Sequence, residues 1–251
     1  MPMRLITDGY SKRSAQDLLR EAVCQWKNAD RGLRPAEPFV TISRQPSTGV
    51  DALPGRLAMR LKHEQSGDWS IWDHSLISKT SSAPDIARGL ERVIAEQPEG
   101  WMQELADGYV IGLERCNPAE FTVYRRVTAA IRSLAAAGRV IIVGQGGMFV
   151  THGMQSGIRV RIVAPIEHRI QCMADEFELT RDEAAGRVAQ ADHGRDVFFH
   201  RYWPGRVVTP EAFAATFNTA EMSIDDIVEG IVSILRARQA MRARKAHLRL
   251  A

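Results

Sequence analysis

Apolar and polar residues alternate in blocks along the chain, and the spacing within each block predicts helices and strands. Apolar residues at i, i+3 and i+4 over residues 14–27 predict an amphipathic helix. Two apolar runs, 139–144 and 159–164, are continuous, which is typical of strands buried inside a parallel sheet. The other predicted strands are short apolar stretches at 39–43, 71–72 and 213–217.

Helix signals separate these strands. Pro54, Pro84 and Pro118 stand in the first turns of apolar-periodic segments, where proline is tolerated, and Gly138 follows the last of these segments. Two capping-box patterns begin later helices: Thr180-x-x-Glu183 and Ser223-x-x-Asp226. Helices thus alternate with strands, and no Asn-Gly hairpin signal occurs. The pattern predicts an α/β fold, a three-layer, doubly wound, mostly parallel five-stranded sheet. Such sheets bind ligands beyond the carboxyl ends of their strands.

Composition is that of a soluble globular protein, with 45% apolar and 25% charged residues in 251. The net charge is +3, but the last sixteen residues carry six Arg or Lys and no acid. We interpret this tail as a solvated helix end, since basic side chains suit a helix C-terminus. Contact with nucleic acid or another anionic surface is the alternative.

The cysteines and the apolar runs bear on location. Cys24, Cys116 and Cys172 lie far apart without a C-x-x-C pair, which indicates reduced thiols and predicts a cytoplasmic protein. No apolar run approaches the roughly 20 residues of a membrane span, and the N-terminus lacks a secretory h-region. The sequence leaves the oligomeric state open.

The stretch TISRQPSTGVDALPGRLA, residues 41–58, follows the first strand and leads into a helix. A phosphate-binding loop lies at this place in an α/β fold. Against the pattern G-x-x-x-x-G-K-[ST], Gly49 fits, but Arg44, Val50 and Asp51 stand at the first glycine, the lysine and the hydroxyl. An ordinary strand-to-helix turn is therefore the alternative.

Six segments in order resemble the cytidylate kinase-like family, a branch of the P-loop nucleoside monophosphate kinases, over residues 39–235. VTISRQPSTGVDALPGRLA is similar to the family's ITISRQ-x-GSGG-x-x-IA-x-x-LA, in which the lysine is often absent. The other matching segments are IWDHSLI, VIIVGQGG, RVRIVAPIEHRI, LTRDEAAGRVAQADHGRDVFFHRYWPG and FNTAEMSIDDIVEGI. Ser47 and Val50 replace family glycines, Pro46 stiffens the loop, and Gln145 replaces an arginine.

The resemblance implies transfer of the ATP γ-phosphoryl group to a nucleoside monophosphate, with CMP or dCMP as the first expectation and ATP and Mg²⁺ as cofactors. Arg169, Asp192 and Arg195 would act from a helical lid. Mg²⁺ would arrive with ATP, and Asp51 is a candidate ligand. The expected phosphate-binding residues are Arg44, Gln45, Ser47, Thr48, Gly49, Val50 and Asp51. The expected acceptor-binding residues are Asp73, Arg125, Arg132 and Gln145.

The resemblance also divides the chain. It predicts an N-terminal helical appendage at 1–38, a nucleoside monophosphate kinase-like core at 39–235 with a lid at about 166–205, and a basic helix end at 236–251. Small-molecule nucleotides are the expected partners. The altered loop leaves a second hypothesis, a nucleotide-binding regulator or degenerate kinase with little or no turnover.

Several candidate side chains also have a purely structural interpretation. Asp73 could cap the helix after it. Arg169 and Arg195 could form ordinary ion pairs. An aromatic cluster could pack in the protein interior or stack on a base, and its members are Phe198, Phe199, Tyr202 and Trp203.

Overall fold

Five parallel strands form the centre of the structure, a computed structural model that describes residues 13–30, 37–65, 67–95, 118–144, 146–203 and 205–250. The strands run in the order β2-β3-β1-β4-β5, and every pair is parallel. Their bounds are β1 Phe39–Arg44, β2 Ser70–Trp72, β3 Val140–Val143, β4 Ile158–Val163 and β5 Ala215–Asn218. The predicted doubly wound, parallel α/β sheet is confirmed.

Helices cover both faces of this sheet. Their bounds are α1 Ala15–Asp30, α2 Leu53–Gln65, α3 His74–Ser81, α4 Pro84–Ala95, α5 Pro118–Ala137, α6 Gly147–Val150, α7 Ile166–Phe177, α8 Arg181–Tyr202 and α9 Ile224–Leu250. A short 3-10 helix, Pro210–Ala212, precedes β5. None of the described helices is both long enough and apolar enough to cross a bilayer.

Two apolar cores lie on opposite faces of the sheet, as strand alternation requires. On one face, Phe39 and Ile142 pack with α4 and α5, and α1 adds Leu19 to the same core. On the other face, Val40 and Ile141 pack with α2 and α9. The three-layer arrangement therefore follows from residues of opposite parity along β1 and β3.

The helix ends follow the predicted signals. Thr180 and Glu183 form a reciprocal capping box, with the Thr180 backbone N–H donating to Glu183 Oε2 over 3.0 Å. Ser223 and Asp226 cap α9 in the same way, so Asp replaces the usual Glu without loss of the motif. The α5 helix ends before Gly138, whose φ of 79° is typical of a glycine C-cap.

The strands β4 and β5 differ from the sequence expectation. Burial alternates along β4, so Ile158, Val160 and Ile162 face the core while Arg159 and Arg161 face the opposite side. The continuous burial that RVRIVA suggested is therefore wrong for β4. The β5 strand begins two residues later than predicted because the 3-10 helix extends to Ala212 and the chain only then pairs with β4.

Candidate functional site

A cavity of about 340 Å³ opens at the carboxyl ends of β1 and β3, between the sheet and α8. Residues at the ends of the two strands line it, and so do Arg195, Phe198 and Phe199 of α8, which we call its roof. The residues around it are Ile42, Ser43, Arg44, Asp73, Ser75, Val143, Gly144, Gly146, Gly147, Met148, Arg195, Phe198 and Phe199. This is the edge at which parallel α/β sheets bind ligands.

The loop between β1 and α2, residues 45–52, lies beside this cavity and is held by hydrogen bonds to β4. The Gln45 backbone N–H donates to the Ile162 carbonyl over 3.0 Å, and Gln45 Oε1 accepts from the Ala164 backbone over the same distance. Thr48 is buried, and its hydroxyl donates to the Gln45 carbonyl. The side chains of Gln45 and Thr48 therefore hold the loop in shape.

Two residues of this loop have left-handed backbone. Ser47 has a φ of 59° and Gly49 a φ of 70°. Glycine adopts this region readily, whereas a residue with a Cβ is strained there. Left-handed residues next to right-handed ones turn successive N–H groups toward one side and form an anion-binding concavity. The loop leads into α2, whose N-terminus also favours an anion.

Two residues at the motif positions of this loop have structural partners. Val50, at the lysine position of a P-loop, is buried in the core between the sheet, α2 and α9. Arg44 pairs with Asp51 through Nη1 and Oδ1, and the Asp51 side chain is 43% exposed. The cation beside the loop is therefore Arg44, which lies at the end of β1 and is paired with Asp51.

The α7 helix contacts the same loop. A Cβ added to Gly49 would lie 2.9 Å from Cys172 Sγ, so this glycine permits the close contact. Arg169 Nη1 lies 3.5 Å from the Pro46 carbonyl oxygen. Burial and the nearby Asp51 carboxylate raise the pKa of Glu176, on the last turn of α7. These contacts seat α7 directly on the loop.

A buried ion pair connects α7 to α8. Arg169 is 6% exposed, and its Nη1 donates to both carboxylate oxygens of Asp192 over 2.9 Å. Ile170, Ala184 and Val188 form a small apolar core between the two helices. The α7–α8 pair is therefore one packed unit. The expectation that Arg169 forms an ion pair agrees with its contacts to Asp192.

We expect Asp192→Asn to lower the free energy of unfolding by about 1–2 kcal/mol, because it leaves the buried Arg169 without a full counter-charge. The remaining exposure of the Asp192 side chain, 34%, keeps the effect below that of a fully buried pair. Urea denaturation measures the change. Asp182→Asn, in the exposed first turn of the same helix, is the control and should cost only a few tenths of a kcal/mol. Equal losses in both variants would contradict the prediction.

Arg195 has a different environment from Arg169. It forms no ion pair with a carboxylate within the described part of the chain, and its Nη2 is shielded from solvent without a hydrogen-bond partner there. Its guanidinium lies over the Phe199 ring, 4.7 Å from the centroid. Burial lowers the pKa of Arg195, while Asp196 and Asp192 partly offset this effect. Arg195 therefore presents an under-satisfied cation to the cavity.

The aromatic cluster holds the end of α8 in place. Trp203 is 4% exposed and stacks on Phe149 with 5.4 Å between ring centroids, and the Trp203 ring lies so close to Gly146 that no Cβ would fit there. Phe198 and Phe199 contact one another and also line the cavity. Trp203 therefore packs in the protein interior. Phe198 and Phe199 also expose ring surface to the cavity, where a ligand could contact them.

Asp73 both caps a helix and lines the cavity. Its Oδ1 accepts from the Leu76 backbone N–H over 2.8 Å, which makes Asp73 the N-cap of α3. The same residue stands at the carboxyl end of β2, where it faces the cavity with Ser75. The capping role and a ligand-binding role are therefore compatible.

Two of the expected acceptor-binding residues, Arg125 and Arg132, are not among the described residues that line the cavity. Arg132 Nη1 donates to the Val150 carbonyl over 3.4 Å, which ties α5 to α6. Arg125 lies half-buried on α5. Gln145 falls outside the described residues.

Sequence reasoning missed Arg161, which lies opposite Ser43 in the β1–β4 register. Ser43 lines the cavity, so Arg161 lies one strand away from it. The available signal was the alternation in IRVRIV, in which two arginines at i and i+2 must share a face of the strand.

The five parallel strands and the helices on both faces define a three-layer α/β fold, with the β1–α2 loop and the α7–α8 pair at the carboxyl ends of the strands. The model of the cytidylate kinase-like family matches residues 39–221, and the chain belongs to this family. No curated protein sequence matches the chain.

Solved structures resemble the fold at low sequence identity. A crystal structure of an uncharacterized protein from Eubacterium ventriosum has a TM-score of 0.61 and 12% identity, over 80% of this chain and 99% of that one. Shikimate kinase from Bacteroides thetaiotaomicron has a TM-score of 0.37 and 14% identity, over 82% of this chain and 98% of that one. The first similarity supports the fold.

Proposed function

We propose that this protein is an ATP-dependent phosphotransferase that moves the γ-phosphoryl group to a nucleoside monophosphate, with CMP and dCMP as the first acceptors to test. Membership of the cytidylate kinase-like family supports a kinase-like phosphotransferase. One observation carries the proposal: the cavity beside the β1–α2 loop has the under-satisfied guanidinium of Arg195 in its roof. Its volume of about 340 Å³ lies within the range of small-molecule sites.

The donor phosphates would bind at the β1–α2 loop. Backbone N–H groups around Ser47 and Gly49, together with the N-terminus of α2, supply an anion-binding surface that does not depend on side chains. Arg44 lies at the same edge and is already oriented by Asp51. Backbone donors and one arginine would thus do the work that a P-loop lysine does elsewhere.

The donor set at the loop fits Mg²⁺ that arrives with the nucleotide. Asp51 offers one half-exposed carboxylate, and no group of three or more metal-ligating side chains occurs within the described ranges. Mg²⁺ in such sites is bound by one or two carboxylates together with waters and phosphates. When bound, the ion neutralises charge on the phosphates.

The acceptor would lie in the cavity itself. The free oxygen of Asp73 can accept from a base or sugar hydroxyl while Oδ1 keeps the α3 cap. Phe198 and Phe199 supply ring surface for a base. Arg195 would hold phosphate oxygens, since the guanidinium fork matches their geometry. Arg169 and Asp192 would act as positioning residues, because their pairing keeps α8, and with it Arg195, over the cavity.

Catalysis by these residues would consist of positioning, charge neutralisation and exclusion of water. The α7–α8 pair covers the loop through Cys172 and covers the cavity through Arg195. Nucleotide entry would therefore require this pair to move away from the loop, and its return would complete the site.

ATP consumption with CMP, dCMP, UMP and AMP as acceptors tests the proposal. We expect turnover with at least one acceptor, dependent on Mg²⁺ and absent with the corresponding nucleoside. Coupled ADP detection and phosphorus NMR of the product identify the reaction. No turnover above background with any acceptor would refute it.

A nucleotide-binding regulator or degenerate kinase is the second candidate, and the loop itself favours it. Val50 is a core residue, Arg44 is paired, and Cys172 closes on Gly49. In this case calorimetry would detect ATP or CMP binding while the same samples show no turnover. Binding without turnover selects the second candidate over the first.

Location and partners follow from the proposed substrates. ATP and nucleoside monophosphates are cytoplasmic metabolites, so we place the protein in the cytoplasm as part of this proposal. Nucleic acid is a less favoured partner because part of the basic tail has structural contacts. Arg236 pairs with Glu64, and Arg238 Nη1 lies 3.3 Å from the Gly157 carbonyl oxygen.

A further inference from the structure

Two arginines on β4 share one face of the sheet but have different surroundings. Arg159 Nε donates to the Ala212 carbonyl over 2.9 Å, and its Nη1 donates to the Thr151 carbonyl over 3.2 Å. Arg159 therefore ties β4 to the chain after α6 and to the 3-10 helix. These two hydrogen bonds to backbone carbonyls give Arg159 a structural role.

Arg161 lacks such acceptors. Its Nη1 is shielded from solvent and has no hydrogen-bond partner among the described residues. Its guanidinium lies 5.6 Å from the centroid of the Phe213 ring, a contact that does not satisfy the Nη1 donor. Opposite Arg161 in the register is Ser43, which lines the cavity.

Arg161 and Arg195 also repel each other. Burial lowers the pKa of Arg161, and the positive charge of Arg195 lowers it further. The Nη2 of Arg195 is likewise shielded from solvent and has no hydrogen-bond partner in the described ranges. Two partly buried guanidinium groups of like charge with unused donors destabilise the protein without ligand, because neither regains the hydration it loses.

We propose that Arg161 and Arg195 together form the binding site for the dianionic phosphate of a phosphomonoester, at the β4 side of the cavity. An anion between the two guanidinium groups would accept from the unused donors and cancel the repulsion. This proposal rests on the proposed function and deepens it, because it assigns the recognition of the acceptor phosphate to β4 and α8. It also selects phosphorylated over unphosphorylated nucleosides.

The test combines apparent stability with ligand affinity. Arg161→Met keeps the aliphatic bulk and removes the charge, and Arg161→Lys keeps the charge and removes the fork. Thermal unfolding without ligand and calorimetry with CMP, cytidine and inorganic phosphate are measured on each variant. Arg159→Met is the matched control, since it removes a neighbouring arginine on the same face.

We expect Arg161→Met to weaken CMP and phosphate binding about tenfold to hundredfold, the usual effect of losing hydrogen bonds to a charged group. Cytidine binding should not change. Without ligand, the midpoint of thermal unfolding should rise by about 2–4 °C, because the variant removes the repulsion with Arg195. Arg161→Lys should bind CMP with intermediate affinity. Arg159→Met should lower the midpoint and retain CMP affinity.

Three outcomes overturn the proposal. The first is a lower midpoint in Arg161→Met with unchanged CMP affinity. The second is an equal loss of cytidine and CMP binding. The third is an equal loss of CMP affinity in Arg159→Met.

Failure of the proposed function has a separate signature. If phosphate binding depends on Arg161 but no acceptor is turned over, this inference is supported and the proposed phosphotransferase activity is refuted. If Arg161→Met retains turnover with an unchanged KM for the acceptor, the phosphotransferase activity is supported and this inference is refuted.

Discussion

We expect Arg195→Gln to lower the proposed phosphoryl transfer to the best acceptor by about a hundredfold to a thousandfold, the typical effect of removing one donor that stabilises transition-state charge. Arg195 lies in the roof of the cavity, and its unused Nη2 is shielded from solvent. A phosphoryl group in transfer spreads charge over its oxygens, and a positioned guanidinium stabilises this charge without reorganisation.

The fold should survive this change, because Arg195 forms no ion pair with the described carboxylates. We therefore expect the midpoint of thermal unfolding to stay at or above that of the wild type. Arg187→Gln is the matched control on the same helix, since Arg187 is exposed and lies 5.7 Å from the centroid of the Phe177 ring. Steady-state kinetics of both variants show whether Arg195 contributes to catalysis. Activity of Arg195→Gln equal to that of Arg187→Gln would exclude a role for Arg195 in catalysis.

Gly49→Ala has the largest expected effect on the loop. A residue with a Cβ costs about 1–2 kcal/mol in left-handed backbone, and Gly49 has a φ of 70°. The added methyl group would also overlap Cys172 Sγ, which lies 2.9 Å from its ideal position. We expect the free energy of unfolding to fall by about 2–3 kcal/mol in total, and ATP binding to fall with it.

A double variant separates the two causes. Gly49→Ala combined with Cys172→Ala should recover the part due to overlap and retain the part due to the backbone angle. Gly186→Ala is the control, because Gly186 lies inside α8 with open space around it, and it should gain about 0.5–1 kcal/mol. Urea denaturation measures all four proteins. A Gly49→Ala variant as stable as the wild type would show that the loop tolerates a side chain at this position.

Local signals in the sequence predicted most of the elements. Pro84 and Pro118 begin α4 and α5, Thr180 and Glu183 cap α8, and the strands alternate with helices as expected. These features succeed because caps and apolar periodicity act over a few residues. The Ser223–Asp226 box succeeded for the same reason, although its acid is shorter than usual.

The environment of the arginines could not be predicted in this way. Arg169 and Asp192 are 23 positions apart and meet only because α7 packs on α8. Arg132 was expected near the acceptor, and its contact with the Val150 carbonyl depends on the packing of α5 against α6. The alternation in IRVRIV places Arg161 on one face of β4, but its position beside Ser43 depends on the pairing of β4 with β1, a strand far away in the chain.

The sequence by itself determined the family, the α/β alternation and the location of the loop at residues 45–52, because these depend on local order and composition. The tertiary structure decided which charges are satisfied. Arg44 and Arg169 pair with carboxylates, whereas Arg161 and Arg195 form no ion pair among the described residues, and each has a shielded donor without a partner there. The reason is physical: the energy of a charge depends on what the fold places within a few ångströms of it and on how much water it excludes.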